Sequence, residues 1–421
     1  MNPGNRPCAP HPNLVARFLS LAGIILLLAA NPRTEGASVR LPNGFVHEGL
    51  AGPELQEPMD LAFAPDGAPW ITGRSGHVWR MDPQDRSVVL VGRIPTDTAG
   101  DRGLHGIAFH PDFSAANGGE VFLFHHATNK PAGLYRSRVS KWRVAGAGLA
   151  ARLVPDSEKV LLEFDGEERG QHVGGGLLVH PVERLLYVTT GDNNEIGRLK
   201  SYCSDTNNQA LNPGDLRGKV LRIGLDGSIP ARNPFVGKPG ARGEVYTVGH
   251  RQPWALSFDA PTGWVLEAEN GGDELDDHEE VNRLEPGASH GWPRVFSDGM
   301  ETLTRTNRIA GYSTPWFHYL RNTGGSCTGA LIYRAQRKPG AFPERFLGGL
   351  FYADYNRKSV RFAPVDPKSG RPGDSEFFAQ NLPGGPVAMR LGPDGALYLV
   401  EYGGWFQSTT NDSISRIVWR P

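Results

Sequence analysis

The stretch MDLAFAPDGAPWIT, residues 59–72, contains two short strands of alternating apolar character on either side of a Pro-Asp-Gly turn. This turn chemistry between alternating strands predicts a β-hairpin. Comparable units recur at residues 106–126, 176–192, 254–271, 330–362 and 387–403. Six units without helical periodicity between them predict an all-β, six-bladed β-propeller, because a radial arrangement protects the strand edges. A β-sandwich is the alternative fold.

The composition is typical of many short strands joined by tight turns. The 421 residues include 54 Gly and 34 Pro, and only 21% are charged. Gly and Pro are residues that tight turns favour. The formal net charge is -1 and no long basic run occurs, which argues against a nucleic-acid partner.

An apolar run, FLSLAGIILLLAA at residues 18–30, follows a basic N-terminal segment. The run is shorter than the roughly 20 residues that span a bilayer, so it predicts a signal peptide. Residues 1–37 are therefore expected to be a signal peptide and leader, cleaved after Ala30 or Ala37, and residues 38–421 a single propeller domain. We expect export to the periplasm or the extracellular space, without stable membrane insertion after cleavage. An uncleaved anchor is the alternative.

Two cysteines, Cys203 and Cys327, follow the predicted leader. In an exported protein such a pair can form a disulfide. Two unpaired cysteines in separate loops are the alternative, because sequence spacing does not report distance.

The candidate catalytic residues are a His, an Asp and an Arg. His172 opens the segment QHVGGGLLVHP, whose glycines leave room for a ligand beside the imidazole. Asp192 ends the partner strand of the same predicted hairpin, so its carboxylate could orient His172 as a general base. Arg251 lies in GHRQPW, where a proline interrupts the strand and lets the guanidinium reach a carboxylate. A structural histidine and a surface salt bridge are the alternatives.

Residues 249–293 carry four short motifs in the order GHRQP, ENGG, EEVN and HGWP. They resemble the Gly-x-Arg-Asn-Pro, Glu-x-Gly-Pro, Asp-Glu-Ile-Asn and Asn-Tyr-Gly-Trp-Pro motifs of the soluble glucose/sorbosone dehydrogenase family. These are quinoproteins that include aldose sugar dehydrogenases dependent on pyrroloquinoline quinone (PQQ). The resemblance covers residues 44–419 and implies a six-bladed propeller with its site at the mouth of the central channel.

The resemblance implies oxidation of a sugar hydroxyl or hemiacetal carbon. His172 would take the proton of the hydroxyl while hydride passes to PQQ, and Asp192 would support His172. Arg251 would polarise the quinone or substrate oxygen. The sequence has no Cys-x-x-Cys-His haem attachment, so the electrons would leave through an external acceptor.

The resemblance also implies calcium. The backbone carbonyls of Gly271 and Gly272 match the positions that bind the calcium ion beside PQQ, and carbonyl oxygens suit calcium whatever the side chain. Glu279 and Glu280 match a second calcium site. A solvated acidic loop is the alternative for these carboxylates.

Several positions implied to contact the cofactor depart from the family pattern. The implied cofactor-binding residues are Asp101, Arg251, Gln252, Asn356 and Arg357. Gln252 replaces an Asn, Asp101 replaces a Gln, and Asn356 stands where the family has a Lys. Residues 385–388, Gly-Pro-Val-Ala, replace an Arg-Ile-Arg-Asp segment. Arg357, Lys358 and Arg390 are nearby cations that could substitute.

Two other functions stay open from the sequence. A non-catalytic propeller that binds a glycan or a protein through the same mouth would account for the missing cofactor cations. A calcium-dependent hydrolase of lactones or esters would use the metal to polarise a carbonyl, a chemistry that other six-bladed propellers host.

Overall fold

Six antiparallel sheets make up the part of the chain that the structure describes. The computed structural model describes residues 38–52, 54–114, 116–168, 171–193, 209–272, 277–293, 311–404 and 411–421. These ranges contain 25 strands and no α-helix. They also contain three short 3-10 helices, at Gly148–Ala150, Arg321–Thr323 and Glu344–Phe346.

The first strand, β1 (Phe45–Ala51), belongs to the last sheet, and the other strands follow in chain order. Blade 1 consists of β2 (Pro58–Phe63), β3 (Pro69–Gly73), β4 (His77–Met81) and β5 (Val88–Arg93). Blade 2 consists of β6 (Leu104–Phe109), β7 (Gly119–Ala127), β8 (Leu134–Ala145), the short β9 (Arg152–Leu153) and β10 (Lys159–Glu167). Blade 3 consists of β11 (Leu177–Val179), β12 (Leu185–Thr190), β13 (Lys219–Gly224) and β14 (Val245–Val248).

The second half of the chain repeats this pattern. Blade 4 consists of β15 (Gln252–Asp259), β16 (Trp264–Asn270), β17 (His278–Arg283) and β18 (Phe317–Leu320). Blade 5 consists of β19 (Cys327–Ile332), β20 (Leu350–Asp354), β21 (Ser359–Ala363) and β22 (Glu376–Ala379). Blade 6 consists of β23 (Gly385–Leu391), β24 (Leu397–Tyr402), β25 (Ser413–Trp419) and β1.

The sheets are arranged as a ring. The innermost strands β2, β6, β11, β15, β19 and β23 each contact the innermost strand of the blade on either side, and β23 contacts β2. This arrangement confirms the prediction of a six-bladed β-propeller and excludes the β-sandwich. Five of the predicted hairpins are the two inner strands of a blade, and residues 330–362 include the third strand of blade 5 as well.

The ring is closed by the N-terminal strand. β1 pairs antiparallel with β25, with Phe45 opposite Trp419, so blade 6 combines strands from both ends of the described chain. The ring of Phe45 makes edge contacts with Phe342, Phe378 and Trp419 at centroid distances of 4.8, 4.8 and 4.9 Å. An apolar cluster at the junction of blades 5 and 6 therefore secures the closing strand.

The hydrophobic core is divided among the junctions between blades. Six buried clusters are found, one between each pair of neighbouring blades. Alternation along a strand sends successive side chains to opposite junctions. On β3, for example, Ile71 packs toward blade 6 and Trp70 packs toward blade 2. Each blade thus contributes apolar side chains to the junctions on both of its faces.

Several expectations lie outside this description. The predicted leader at residues 1–37 and the residue Cys203 are not among the described residues, so the leader and the disulfide stay predictions. Cys327 is fully buried on β19. No helix within the described ranges is long and apolar enough to cross a membrane.

We predict that Phe45→Ala destabilises the protein by about 3–5 kcal/mol, because it leaves a cavity in the aromatic cluster that holds the closing strand. Val46 is the matched control, since it is the next residue on β1 and is 40% exposed. Val46→Ala should change the free energy of unfolding by no more than about 0.5 kcal/mol. Denaturant unfolding of both variants measures the difference, and equal losses would refute the closing role of Phe45.

Candidate active site

The residues singled out by the sequence lie at one end of the propeller. At this end, called the upper rim here, the first strand of each blade begins and the second strand ends. The following residues share this location: Asp101 before β6, His172 before β11, Asp192 after β12, Arg251 before β15, Gly271 and Gly272 after β16, and Asn356 and Arg357 after β20. The topology therefore collects segments from blades 2 to 5 on one face.

His172 and Asp192 form a hydrogen-bonded pair, with Nδ1 of the imidazole 2.8 Å from Oδ1 of the carboxylate. His172 has a φ of 58°, a left-handed conformation that surrounding contacts must hold in place. Its N–H donates to Asp101 Oδ2 at 3.2 Å, and its carbonyl accepts from the Asn193 N–H at 3.2 Å. Asp192 is buried and the His172 side chain is 16% exposed, so the imidazole is the part of the pair that a ligand can reach.

Trp292 connects this pair to Arg251. The indole Nε1–H donates to Asp192 Oδ2 at 2.7 Å. The guanidinium of Arg251 lies over the same indole ring, 5.5 Å from its centroid, in a cation–π contact. The Asp192 N–H also donates to the Arg251 carbonyl at 2.7 Å. Asp192 and Arg251 are therefore held in a fixed relation by one aromatic side chain and one backbone hydrogen bond.

The start of β15 is held from below by Glu269. Its Oε1 accepts the backbone N–H of Arg251 at 2.6 Å and that of Gln252 at 2.8 Å. The side-chain Oε1 of Gln252 accepts from the Gly174 N–H at 3.0 Å, which joins β15 to the glycine-rich segment after His172. Gln252 thus acts as a connector between blades 3 and 4 at the rim.

Gly271 and Gly272 follow β16, and both are buried. A Cβ on Gly271 would lie 1.7 Å from the carbonyl oxygen of His278, so no other residue fits this backbone. The end of β16 therefore lies very close to the start of β17. A segment without side chains is compatible with a ligand or an ion that binds to backbone carbonyls.

Glu279 and Glu280 do not converge. They are consecutive on β17, so their side chains lie on opposite faces of the strand. The carboxylate of Glu279 accepts from Arg321 at 2.8 Å and from the Cys327 N–H at 2.9 Å, which ties β17 to blade 5. Glu280 accepts from Asn282 Nδ2 at 3.2 Å on the other face. The geometry therefore does not support one ion held by both carboxylates.

Asn356 and Arg357 are both exposed in the turn after β20. The Arg357 Nη2 donates to the carbonyl of Asn322 at 2.6 Å, within the neighbouring loop. The other two cations considered as substitutes are used elsewhere. Lys358 Nζ donates to the Pro383 carbonyl at 3.2 Å, and Arg390 forms an ion pair described next.

A narrow cavity lies on the axis of the propeller and is lined in part by His105 and Trp254. Asp60 and Arg390 face each other there, with Nη2 2.5 Å from Oδ1. The Arg390 Nε also donates to the Leu61 carbonyl at 3.1 Å. The charge of Arg390 is therefore balanced within the axial cavity and is not directed to the upper rim.

Comparison with known proteins identifies the family of the chain. A family model described as glucose/sorbosone dehydrogenase matches residues 55–404. The chain belongs to this family.

Three relatives show the extent of the similarity. Quinoprotein glucose dehydrogenase B of Acinetobacter calcoaceticus is 32% identical over 254 residues, which cover 57% of this chain and 51% of the relative. The chain thus spans about half the length of that relative. Aldose sugar dehydrogenase YliI of Escherichia coli is 26% identical over 365 residues, 82% of this chain and 87% of the relative. The structure of a Thermus thermophilus oxidoreductase described as a glucose dehydrogenase has a TM-score of 0.69 and 26% identity, and the match covers 89% of this chain and 100% of that one.

In this member of the glucose/sorbosone dehydrogenase family, Glu267 and Glu269 are buried beneath the upper rim, and Glu280 beside them is partly buried. Glu269 faces Glu280 across β16 and β17, and Glu267 faces Asn282. Burial raises the pKa of Glu269 and of Glu280 to about 8, and it raises the pKa of Glu267 well above its ordinary value. Burial also lowers the pKa of the neighbouring His250 to about 3. The uncharged forms of these three carboxyl groups and of the His250 imidazole are therefore favoured unless a counter-charge lies beside them.

Sequence reasoning did not single out Trp292 or Glu269, although both lie in the motifs that identify the glucose/sorbosone dehydrogenase family. Trp292 contacts Asp192 across 100 residues of sequence, a distance that no local pattern reports. Glu269 belongs to the alternating segment LEAEN, in which two acidic residues occupy one face of a strand. Carboxylates on a face that should be buried were a signal available in the sequence.

We predict that Trp292→Phe lowers the free energy of unfolding by about 1.5–3 kcal/mol, since it removes a buried hydrogen bond to a charged group while keeping an aromatic ring. Trp264→Phe is the control, because Trp264 is only partly buried and lies at the other end of β16. In denaturant unfolding, the free energy of unfolding of Trp264→Phe should differ from that of the parent by no more than about 0.5 kcal/mol. An unchanged stability of Trp292→Phe would contradict the role of the indole N–H.

Proposed function

We propose that this protein is an exported quinoprotein dehydrogenase that uses PQQ and calcium to oxidise the hydroxyl or hemiacetal carbon of an aldose. The observation that carries the proposal is the His172–Asp192 pair on the upper rim, joined through Trp292 to Arg251. The names of the Acinetobacter and Escherichia coli relatives support a sugar substrate and a quinone. Export is supported by the apolar run at residues 18–30.

His172 is suited to accept a proton. Asp192 Oδ1 accepts a hydrogen bond from the Nδ1–H of His172, which fixes the tautomer with the proton on Nδ1 and leaves the lone pair on Nε2. When the imidazole takes a proton from a sugar hydroxyl, the nearby carboxylate stabilises the resulting positive charge. Because Trp292 and the Arg251 backbone hold Asp192, the pair can remain aligned during this transfer.

Arg251 is suited to stabilise negative charge on an oxygen. Its guanidinium lies on the face of Trp292, and the residue is 4% exposed, so its position is defined and little water surrounds it. A fixed positive charge in a place of low water content stabilises developing negative charge more strongly than it would in bulk solvent. We assign to Arg251 the binding of a substrate or quinone oxygen.

The rim has backbone carbonyls that fit calcium, and it has fewer cations for PQQ than the family pattern places there. The carbonyls of Gly271 and Gly272 would hold calcium, on a backbone segment that tolerates no Cβ at Gly271. Arg251, Gln252, Asn356 and Arg357 would contact the quinone. When bound, PQQ supplies the acceptor for the hydride, and an external acceptor then removes the electrons.

A non-catalytic propeller that binds a glycan or a protein is the second candidate. The pairing of Arg390 with Asp60 favours it, because this cation is not offered to an anionic cofactor at the rim. A calcium-dependent hydrolase has less support. Glu267 and Glu269 converge with His250 between blades 3 and 4 and not on the central axis.

The proposal is tested with chelator-treated protein to which PQQ and Ca²⁺ are added, followed by a panel of aldoses. We predict PQQ binding and sugar-dependent bleaching of the quinone spectrum. In His172→Asn the bleaching rate should fall about 10²–10⁴-fold while PQQ still binds, since a general base is lost. Asn tolerates the left-handed backbone at position 172, so the loop should keep its shape.

His110→Asn is the matched control. His110 lies in the turn between β6 and β7, at the end of blade 2 opposite the upper rim, and its Nδ1 accepts from the Asp112 N–H at 3.2 Å. An Asn side chain can accept a similar hydrogen bond, so this variant should bleach PQQ at the parent rate. Failure to bind PQQ at high micromolar concentration would disprove the quinoprotein proposal and leave the binding propeller.

A further inference from the structure

A buried cluster of one histidine and two carboxylates lies between blades 3 and 4, below the site already described. His250 Nδ1 is 2.7 Å from Glu269 Oε2 and 3.7 Å from Glu267 Oε2. One potential ligand atom from each of the three residues lies within 4.8 Å of the others. All three residues are at least nine-tenths buried. The mechanism proposed above assigns no chemical step to this cluster.

Further polar atoms around the cluster are without partners. Within the described part of the chain, Glu267 Oε1, Asn282 Oδ1 and both ring nitrogens of His290 are buried and make no hydrogen bond. Asn282 is in contact with the cluster, since its Nδ2 donates to Glu267 Oε2 at 3.0 Å. The ring of His290 lies 4.6 Å from that of His250. Unpaired buried polar atoms are costly, and several of them in one place indicate a missing ligand.

The orientation of His250 agrees with a metal ligand. Its Nε2 is 2.8 Å from Thr247 Oγ1, a partner that can accept the ring N–H and leave the lone pair on Nδ1. That lone pair then faces two carboxylates, so a proton or a cation must lie between them. The nearest buried lysine, Lys219, directs its ammonium to the carbonyls of Gln209, Ala210 and Arg217 at 2.6 to 2.9 Å and does not fill this position.

We propose that His250, Glu267 and Glu269 bind a divalent first-row transition-metal ion, with Zn²⁺ as the best match. One imidazole nitrogen and two carboxylates form a mixed nitrogen and oxygen set, which suits Zn²⁺ better than Ca²⁺. Ligands of a tetrahedral zinc ion lie about 3.3 Å apart, within the range of the separations observed here. Asn282 Oδ1 is the unpartnered donor available to complete the shell.

Such an ion would position the substrate-binding residues without touching the substrate. Glu269 would bind it through Oε2 while its Oε1 continues to accept the backbone N–H groups of Arg251 and Gln252. The metal would therefore fix the start of β15. This inference does not depend on the proposed quinone chemistry, because metal content and ligand geometry are measured without PQQ.

The test uses the full chain after chelator treatment, equilibrated with Zn²⁺ in the presence of excess Ca²⁺ and then freed of unbound metal. Elemental analysis should find one zinc per chain. Glu267→Gln and His250→Asn should each weaken zinc binding at least about 100-fold without reducing calcium content. Glu158→Gln is the matched control, because Glu158 is 3.1 Å from His125 and the described residues supply no third metal-ligating side chain to that pair. It should keep zinc.

Less than one-tenth of an equivalent of zinc in the parent protein would overturn the inference, and the cluster would then hold a shared proton. Undiminished zinc in both cluster variants would also overturn it, because the ion would lie elsewhere. If the variants do not fold, X-ray absorption of the zinc-loaded parent decides the question. A first shell with one imidazole nitrogen and carboxylate oxygens supports the site, whereas an oxygen-only shell or a shell with several imidazoles refutes it.

Discussion

The pairing of β1 with β25 is the constraint on which the rest of the structure depends. A propeller blade is apolar on both faces, so every blade needs a neighbour on each side. The last junction can form only when the N-terminal strand completes blade 6 and Phe45 enters the cluster with Phe342 and Trp419. Because the ring is closed, the starts of all the innermost strands face one axis. The upper rim, where His172, Asp192 and Arg251 meet, exists as a consequence of this closure.

Within the rim, the contacts run inward from the partly exposed imidazole of His172 to buried groups. His172 is held by Asp192, Asp192 is held by Trp292, and Arg251 lies on the same indole. Glu269 then holds the backbone of Arg251 from beneath. These contacts link the loops of the site to the sheet below them, and buried supporting contacts of this kind hold a site rigid. This arrangement places the carboxyl groups of Glu269 and Glu280 where little water reaches them, and the loss of solvation raises their pKa values.

The sequence predicted the inner half of each blade better than the outer half. Two inner hairpins carry Pro-Asp-Gly turns, at residues 65–67 and 393–395, and all six have strands that lie close together in sequence. The closing role of β1, in contrast, depends on a partner more than 300 residues away. His172 and Asp192 were found because they flank one hairpin and also match positions of the family pattern. Trp292 and Glu269 were missed because their roles arise from packing between distant segments. Glu279 and Glu280 were grouped as neighbours in sequence, but strand alternation separates them onto two faces.

The charge distribution connects the two proposals. PQQ carries three carboxylates, and the described rim offers it Arg251 and Arg357, since Arg390 is paired with Asp60. Directly beneath Arg251 lie Glu267, Glu269 and Glu280, whose negative charge, when ionised, would lower the electrostatic potential felt by an anion at the rim. A divalent ion bound by His250, Glu267 and Glu269 would offset the negative charge of two of these carboxylates. The positive charge of a metal between blades 3 and 4 would in this way act at a distance on an anion at the rim. It would compensate for the cations that the family pattern places at the rim and that this chain lacks.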